Sequence, residues 1–453
     1  MRLTRRYFLR SSGLVAAYCG LAAGHAIAEP AADTAAESTP ATPHRTLVVV
    51  FLRGGIDGLN LVVPYADPDY AKLRPGLAVR PPGEDGGCLD LDGRFGLHPQ
   101  AAPLMPWFKS GAAAALHAVG YPKNSRSHFE EQDVWETGVV GNTLGQDGWL
   151  NRHLQTSNGH GPLRAIAIGN TLPRILRGEA EAVCVRNLDR LPNLGQAGVT
   201  AAVEHATDDL DTVASMDLRV HADEAAQRLR AMVEGRDAAR GEAGAMLAEG
   251  GRETRRAMAL LRRVAEQAEP AGVRWPDHQL GQQMRTAARL LRGGVGVEVI
   301  EIDFGGWDTH RRQGAGAQGE YGRKVGQLAE GLNALATALG DRLRDTLILT
   351  LSDFGRTARE NGTRGTDHGW GNCMLAMGGG LLDRADAARP RPVLGRWPGL
   401  GPDALHEGRD LAHTTDFRDV ISEVVAEHLG NPSLRTVLPG HTHTPTGLLV
   451  PRT

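Results

Sequence analysis

Short, largely apolar segments recur along the chain and constrain its fold more than any other feature. Two examples are TLVVVFL at 46–52 and LILTLS at 347–352. Strands that are buried on both faces of a parallel sheet show such continuous runs, whereas strands with one solvated face alternate apolar and polar residues. Helical patterns at 129–136 and 324–339 separate some of the runs, so the sequence predicts a parallel or mixed sheet covered on both faces. The further runs lie at 112–119, 165–169, 182–185, 297–303 and 373–379.

The segment 205–292 has a different character. It is rich in Ala, Arg and Glu and shows no clear strand pattern, which predicts helices inserted into, or packed beside, an α/β domain spanning 44–453. The charges of this segment are mixed, and the whole chain has a formal net charge of −3. Neither offers the basic surface that nucleic-acid binding requires, so we expect no nucleic-acid partner.

The N-terminus has the pattern of an export signal. The pair Arg5-Arg6 precedes a modestly apolar stretch, and an A-x-A cleavage site ends at Ala28. The alternative is a membrane anchor, but the apolar run at 13–23 is shorter than the roughly 20 residues that a bilayer span needs. We therefore predict a twin-arginine signal peptide at 1–28, recognised by the twin-arginine export machinery, and a flexible leader at 29–43. The mature protein is then expected in the periplasm or outside the cell, without a stable membrane span.

Carboxylates follow three of the predicted strands within a few residues, and two of the three regions also contain an imidazole. The carboxyl ends of parallel strands form the usual ligand-binding edge of an open α/β sheet, so these side chains are expected to lie close together. Mixed nitrogen and oxygen ligands suit a divalent metal, with zinc favoured and manganese, magnesium or calcium as alternatives. An ordinary turn at Asp57, a helix cap at Asp353 or a carboxylate that only orients a histidine are the structural alternatives. The predicted metal ligands are Asp57, Asp308, His310, Asp353 and His368.

A candidate nucleophile follows the predicted strand at 112–119. Ser127 stands just before a helical pattern, where the helix dipole and a nearby cation favour an alkoxide. Glu130 lies three residues further on, so Ser127 could instead form a capping box. Ser125 is a competing hydroxyl, and His128 is a candidate base or additional ligand. Arg126 and Arg356 are predicted to hold the anionic oxygens of a substrate.

Several segments together resemble a bacterial family of exported proteins known mainly as a domain of unknown function. They are RGGIDGLNLVVPYADPDYAKLRP, NSRSHFEEQDVWETG, GGWDTHRRQ, LSDFGRTARENGTRGTDH and TTDFRDV. That family resembles a branch of the alkaline phosphatase and sulfatase superfamily, which implies a three-layer α/β/α sandwich with a metal-assisted ester hydrolysis site using one or two ions. By this resemblance Ser127 matches the nucleophile that begins a helix. The residues matching the metal ligands of the superfamily are Asp57, Asp308, His310, Asp353 and His368.

These features lead to a functional hypothesis with one rival. The first hypothesis is an exported, metal-dependent hydrolase of small anionic esters, with phosphate esters favoured over sulfate esters. A formylglycine sulfatase is disfavoured, because no cysteine, and neither Ser125 nor Ser127, lies in the C/S-x-P/A-x-R signature. The rival is a non-catalytic exported protein that retains the fold and binds a metal or an anion.

The export signal makes a direct prediction. Replacing Arg5 and Arg6 together with Lys should leave the precursor in the cytoplasm, because the paired guanidinium groups are what the export receptor reads. The measurement is the fraction of processed protein in the periplasm, with Arg10→Lys as the matched control. Normal processing of the double variant would exclude the twin-arginine route.

Overall fold

The computed structural model describes residues 45–450, with the exception of 160, 187, 191–255, 315–318 and 386–390. The chain divides into two compact units, and the fold described below belongs to Thr42–Arg186 with Ala268–Thr453. In the other unit, Met1–Ala41 with Asn187–Gln267, the described residues include a helix over 256–265. The predicted signal peptide, the predicted leader and residues 205–255 of the predicted insertion lie outside the described residues.

Twelve strands form two sheets in the described part of the chain. The larger sheet has nine strands in the order β11-β5-β10-β9-β1-β8-β6-β7, with β12 also paired to β5; the smaller has the order β2-β4-β3. The strands are β1 (Thr46–Arg53), β2 (Val62–Val63), β3 (Leu89–Asp90), β4 (Gly96–Leu97), β5 (Ala113–Gly120), β6 (Ala165–Ala167), β7 (Val183–Cys184), β8 (Val299–Gly305), β9 (Thr346–Leu351), β10 (Asn372–Gly378), β11 (Val393–Leu394) and β12 (Thr415–Asp416).

The nine-stranded sheet is mostly parallel. β1 pairs in parallel with β8 on one side and with β9 on the other. β10 is the exception, because it runs antiparallel to both β9 and β5. Two successive reversals restore the direction, so β5 is parallel to β9. The carboxyl ends of β5, β9, β1 and β8 therefore meet at one edge of the sheet.

Ten α-helices accompany the sheets in the described part of this unit. They are α1 (Gly58–Leu61), α2 (Tyr70–Leu73), α3 (Met105–Lys109), α4 (His128–Thr137), α5 (Trp149–Thr156), α6 (Gln279–Arg292), α7 (Glu320–Leu339), α8 (Gly380–Ala385), α9 (Phe417–Glu423) and α10 (Leu434–Val437). Short 3-10 turns cover Pro99–Leu104, Arg174–Leu176 and Gly340–Arg344, and a π-helical turn covers Val424–His428. No described helix is both long and apolar enough to cross a membrane.

Both faces of the sheet are buried. Alternate residues of β1, such as Leu47 and Val49, join a core formed with α4, α5 and α9. The intervening residues Val48 and Val50 have no exposed surface and point to the opposite face, where α6 packs on α7 and on β8. Because neither face meets solvent, both sets of positions are apolar, which explains the continuous runs.

The structure confirms the predicted fold class, a three-layer α/β/α arrangement around a mostly parallel sheet. Each of the seven predicted strands and both predicted helices is present, with ends that differ by a few residues. Within the predicted insertion, α6 packs against α7 and belongs to the same compact unit as the sheet. Cys88, Cys184 and Cys373 are free thiols.

Candidate metal centre

Four chain segments meet at the carboxyl edge of the sheet. The segment after β5 leads into α4 and supplies His128, and the segment after β8 supplies Asp308 and His310. The segment after β9 supplies Asp353 and, further on, His368. The segment after β1 passes among them, and Gly54 there has a φ of +117°. A Cβ on Gly54 would lie 2.7 Å from the backbone nitrogen of Asp308, so this close approach requires glycine.

Three imidazoles lie close to one carboxylate oxygen. His310 Nε2 lies 3.0 Å from Asp308 Oδ1 and 2.9 Å from His368 Nε2. Asp308 Oδ1 also lies 3.3 Å from His368 Nε2 and 3.5 Å from His128 Nε2. The centre is open to solvent, since the Asp308 side chain retains 46% of its exposure. The residue types and spacing are those of a metal-ligand set, with His128, Asp308 and His368 offering atoms within 4.8 Å of one another.

Each of the three imidazoles is held by its other nitrogen. His128 Nδ1–H donates to Asp353 Oδ2 at 2.5 Å, and His310 Nδ1–H donates to Asp367 Oδ1 at 2.8 Å. His368 Nδ1–H donates to the backbone carbonyl oxygen of Arg126 at 2.8 Å. All three acceptors lack a proton to donate, so they fix the tautomer with Nδ1 protonated and Nε2 bare. Metal-binding histidines in proteins are oriented in this way.

The bare nitrogens make the centre fit a cation. Two Nε2 lone pairs 2.9 Å apart beside a carboxylate repel one another unless a proton or a metal ion lies among them. His128 Nε2 is buried and has no hydrogen-bond partner among the described residues. Ligand atoms bound tetrahedrally to zinc at about 2.0–2.1 Å would be about 3.3 Å apart. Four separations, from Asp308 Oδ1 to the three Nε2 atoms and from His310 Nε2 to His368 Nε2, are 2.9–3.5 Å and lie near that spacing.

The charge states of His368 and Asp308 favour metal binding, whereas that of His128 opposes it. Burial lowers the pKa of His368, and the positive charges of His128 and Arg356 nearby reinforce the effect, so the neutral ring is preferred. Partial burial raises the pKa of Asp308, but its hydrogen bond and charge interaction with Arg356 outweigh that, and the pKa falls to about 2. Burial lowers the pKa of His128, yet the bond to Asp353 and its charge raise it overall. A metal ion would have to displace any proton held on His128.

Asp353, predicted as a ligand, contacts Nδ1 of His128 and contributes no atom to the cluster. It is fully buried, and its Oδ1 accepts from the backbone amides of Gly54 and Gly55 at 3.1 and 2.6 Å. Its Oδ2 accepts from His128 and from Gln132 Nε2. The structure therefore places Asp353 as the residue that orients His128 rather than among the ligand atoms.

Asp57, also predicted as a ligand, is not brought into the centre. Its Oδ2 accepts from Arg74 Nη1 at 2.6 Å and from Gln313 Nε2 at 2.5 Å. The side chains of Asp57 and Arg74 are 1% and 0% exposed, so they form a fully buried ion pair. The prediction followed its position after β1, but three further residues carry Asp57 beyond the sheet edge and into the protein interior.

The two arginines predicted to bind anionic oxygens are engaged by the protein. Arg126 donates to Asp410 at 3.0 Å and to Glu407 at 2.6 Å. Arg356 is buried and donates to Asp308 Oδ1 at 2.5 Å and to backbone carbonyl oxygens, among them that of Gly55. In this arrangement Arg356 neutralises a ligand carboxylate, and Arg126 reaches His368 through its backbone instead of its side chain.

Ser127 occupies the N-cap position of α4, directly before His128. Its hydroxyl forms no capping hydrogen bond, so the alternative prediction of a capping box with Glu130 is wrong. The carboxylate that supports this turn is Glu131, which accepts from Ser125 N at 2.6 Å and from Ser125 Oγ at 2.8 Å. Ser125 is thus committed to the turn, whereas the Ser127 hydroxyl is not used for capping.

Two residues that support the centre, Gln132 and Arg53, were not predicted from the sequence. Gln132 bridges Asp353 and Arg53, whose Nη1 donates to Gln132 Oε1 at 3.1 Å. Arg53 also pairs with Glu136 at 3.0 Å. Helical spacing was the available signal, because residues 128, 132 and 136 are four apart and share one face of α4.

Comparison with known proteins gives one family. The family described as "Protein of unknown function (DUF1501)" matches residues 95–430, which include every residue of the centre. No curated protein matches the chain.

The centre predicts a metal-dependent stability. Purified protein should contain a divalent ion, and His368→Ala should lower both its occupancy and the melting temperature, because metal binding is linked to the folded state. Asp353→Ala should weaken metal affinity by about 10–100-fold, as expected for an orienting residue. Elemental analysis and thermal unfolding measure both, with His441→Ala as a control, since that imidazole pairs with Asp419 elsewhere. Wild-type protein that stays metal-free after incubation with zinc, manganese, magnesium or calcium would contradict the assignment.

The buried position of Asp57 predicts that its replacement lowers stability without lowering metal content. Asp57→Ala should lower the free energy of unfolding by about 3–5 kcal/mol, because it leaves the Arg74 charge buried without its partner. Metal content at full saturation should be unchanged. Asp69→Ala is the matched control, since the Asp69–Lys72 pair is partly exposed and should contribute less than about 1 kcal/mol. Loss of metal without loss of stability would instead make Asp57 a ligand.

Proposed function

The chain belongs to the DUF1501 family of proteins of unknown function, and from the geometry of its candidate centre we propose that it is an exported, metal-dependent hydrolase of phosphate esters. The observation that carries the proposal is the convergence of His128, His310 and His368 with Asp308, each imidazole being oriented through Nδ1. His128, Asp308 and His368 would hold a divalent ion, with His310 as a further nitrogen ligand beside Asp308 and His368 and with zinc favoured.

The bound ion would supply Lewis acidity toward an ester oxygen. The chain's own residues supply orientation and charge. Asp308 and the three imidazoles fix where the anionic ester binds, and Arg356 keeps Asp308 ionised so that the ligand set stays intact at neutral pH. Partial exposure of Asp308 leaves the site open to a small substrate.

Ser127 is the proposed nucleophile. It begins α4, so the dipole of a ten-residue helix favours a negative charge on its oxygen. It is adjacent in sequence to the ligand His128, and its hydroxyl is free of the capping role. Attack of Ser127 Oγ on phosphorus would form the Oγ–P bond and break the bond to the leaving oxygen, which takes up, through solvent, the proton that Ser127 gives up. Water would then hydrolyse the phosphoserine, returning a proton to Ser127 Oγ and releasing phosphate.

Phosphate esters are proposed in preference to sulfate esters on the sequence evidence alone. The formylglycine signature that sulfatases need is absent around the cysteines and around Ser125 and Ser127. Export by the twin-arginine route and kinship with the alkaline phosphatase superfamily are parts of the same proposal, supported by the N-terminal pattern and by the three-layer fold.

A second candidate function has its own support. Arg126 and Arg356, the two arginines predicted to hold the anionic oxygens of a substrate, both donate to protein acceptors. A phosphoryl-transfer site normally directs such groups at the transferred oxygens. This arrangement favours the rival, a non-catalytic exported protein that binds a metal or an anion.

Replacement of Ser127 separates the two functions. Ser127→Ala should leave metal content unchanged and cost less than about 1 kcal/mol, because no capping hydrogen bond is lost. Turnover of an aryl phosphate should nevertheless fall by orders of magnitude at matched metal occupancy. Ser125→Ala is the control and should retain turnover. Equal rates in wild type and Ser127→Ala would remove Ser127 from the mechanism, and no turnover of any ester with any of the four metals would favour the non-catalytic protein.

A further inference from the structure

A cavity beside the metal centre has the character of an anion-binding site. We propose that Arg312 and Arg364 bind a second anionic group of the substrate there, so that the preferred esters carry a carboxylate or a second phosphate apart from the group that is hydrolysed. The statement about substrates rests on the proposed hydrolase function. The statement that the cavity binds an anion does not, because it depends on different residues.

The cavity has the size and the lining for a small polar group. Its volume is about 520 Å³, within the range of ligand pockets. Three glycines line the wall, and two arginines supply the side-chain donors. The residues concerned are Gly76, Arg312, Gly314, Gly362, Thr363 and Arg364.

Both arginines hold an uncommon backbone conformation. Arg312 has a φ of +47° and Arg364 a φ of +59°, in the left-handed region that disfavours side chains other than those of Gly, Asn and Asp. Two backbone hydrogen bonds maintain the pair, from Arg312 N to Thr363 O at 3.1 Å and from Gln313 N to Arg364 O at 2.9 Å. Such strain persists where the surroundings enforce it and is concentrated at binding sites.

The cavity carries the positive charge of two arginines that are accessible to a ligand. Arg312 and Arg364 are exposed, and neither forms an ion pair with any carboxylate of the described residues. Glu360 is the acid attached to this wall, and its Oε2 accepts from the backbone amide of Gly76 at 2.8 Å. Two unpaired guanidinium groups on facing segments provide the forked donors that carboxylates and phosphates bind.

The wall of the cavity is continuous with the metal centre. Thr363, which lines the cavity, donates through Oγ1 to the carbonyl oxygen of His310 at 2.7 Å. Asn361 Nδ2 donates to the same carbonyl at 2.9 Å and to Asp367, the anchor of the His310 ring, at 3.0 Å. One loop thus fixes both a metal ligand and the cavity. Because the same loop carries Arg364 and contacts His310, the proposal assigns the remaining anionic group of a substrate held at the centre to this cavity.

The substrate claim is tested by the ratio of kcat/KM values for three aryl phosphates. The substrates are phenyl phosphate, 4-carboxyphenyl phosphate and 1,4-phenylene bisphosphate. Wild type should prefer one or both of the latter by about tenfold or more, as expected for a charged hydrogen bond. Arg312→Gln/Arg364→Gln should abolish that preference while retaining turnover of phenyl phosphate. Arg359→Gln, an exposed arginine outside the cavity, is the control and should keep the preference.

Which substrate is preferred distinguishes a carboxylate from a phosphate. An equal ratio in wild type and the double variant would overturn the substrate claim. No hydrolysis of any substrate would refute the proposed function instead, and the cavity is then tested by binding. Inorganic phosphate should bind EDTA-treated wild type by calorimetry, and the double variant should bind it at least about tenfold more weakly. Unchanged phosphate affinity in the double variant, or no binding by wild type, would overturn the anion site.

Discussion

Buried Asp353 is the point at which the ends of β9, β1 and α4 are joined. One of its oxygens accepts the amides of Gly54 and Gly55 after β1, and the other accepts His128 Nδ1–H at the start of α4. Because it is fully buried, each of these bonds forms in a medium of low dielectric, where leaving a partner unpaired is costly. The position of His128, and through it the spacing of the whole centre, depends on this carboxylate.

The fold class could be predicted because strands that are buried on both faces have continuous apolar sequences. Segments such as 46–52 and 347–352 are largely apolar, which is typical of an internal strand of a covered sheet. The reversal at β10 was not readable, since the segment at 373–379 is as apolar as its parallel neighbours and apolarity does not report direction. The direction in which two strands pair depends on the path of the connections between them. The local sequence pattern contains no information on that path.

The site could be predicted only in part, because the sequence pattern does not report the path of a loop. Strand ends located Asp308 and His310, and the loop after β9 located His368, all of which converge. Asp57 and Asp353 satisfied the same rule equally well, but whether a carboxylate faces the cluster or supports it depends on one or two residues of loop path. A position just after a strand predicts the edge of the sheet at which a side chain lies. The direction in which the side chain points is set by tertiary contacts.

Arg126 shows how a residue can contribute to such a centre by its backbone. Its φ of +60° turns its carbonyl oxygen toward His368 Nδ1, while its guanidinium is drawn away to Glu407 and Asp410. His128 and His310 are anchored by carboxylates, whereas His368 is anchored by a neutral carbonyl. As ligands of the proposed cation the three nitrogens would therefore be unequal, and His368 would bind it with the least electrostatic help. Its contribution depends most on geometry, and that geometry is set by one strained residue immediately before the proposed nucleophile.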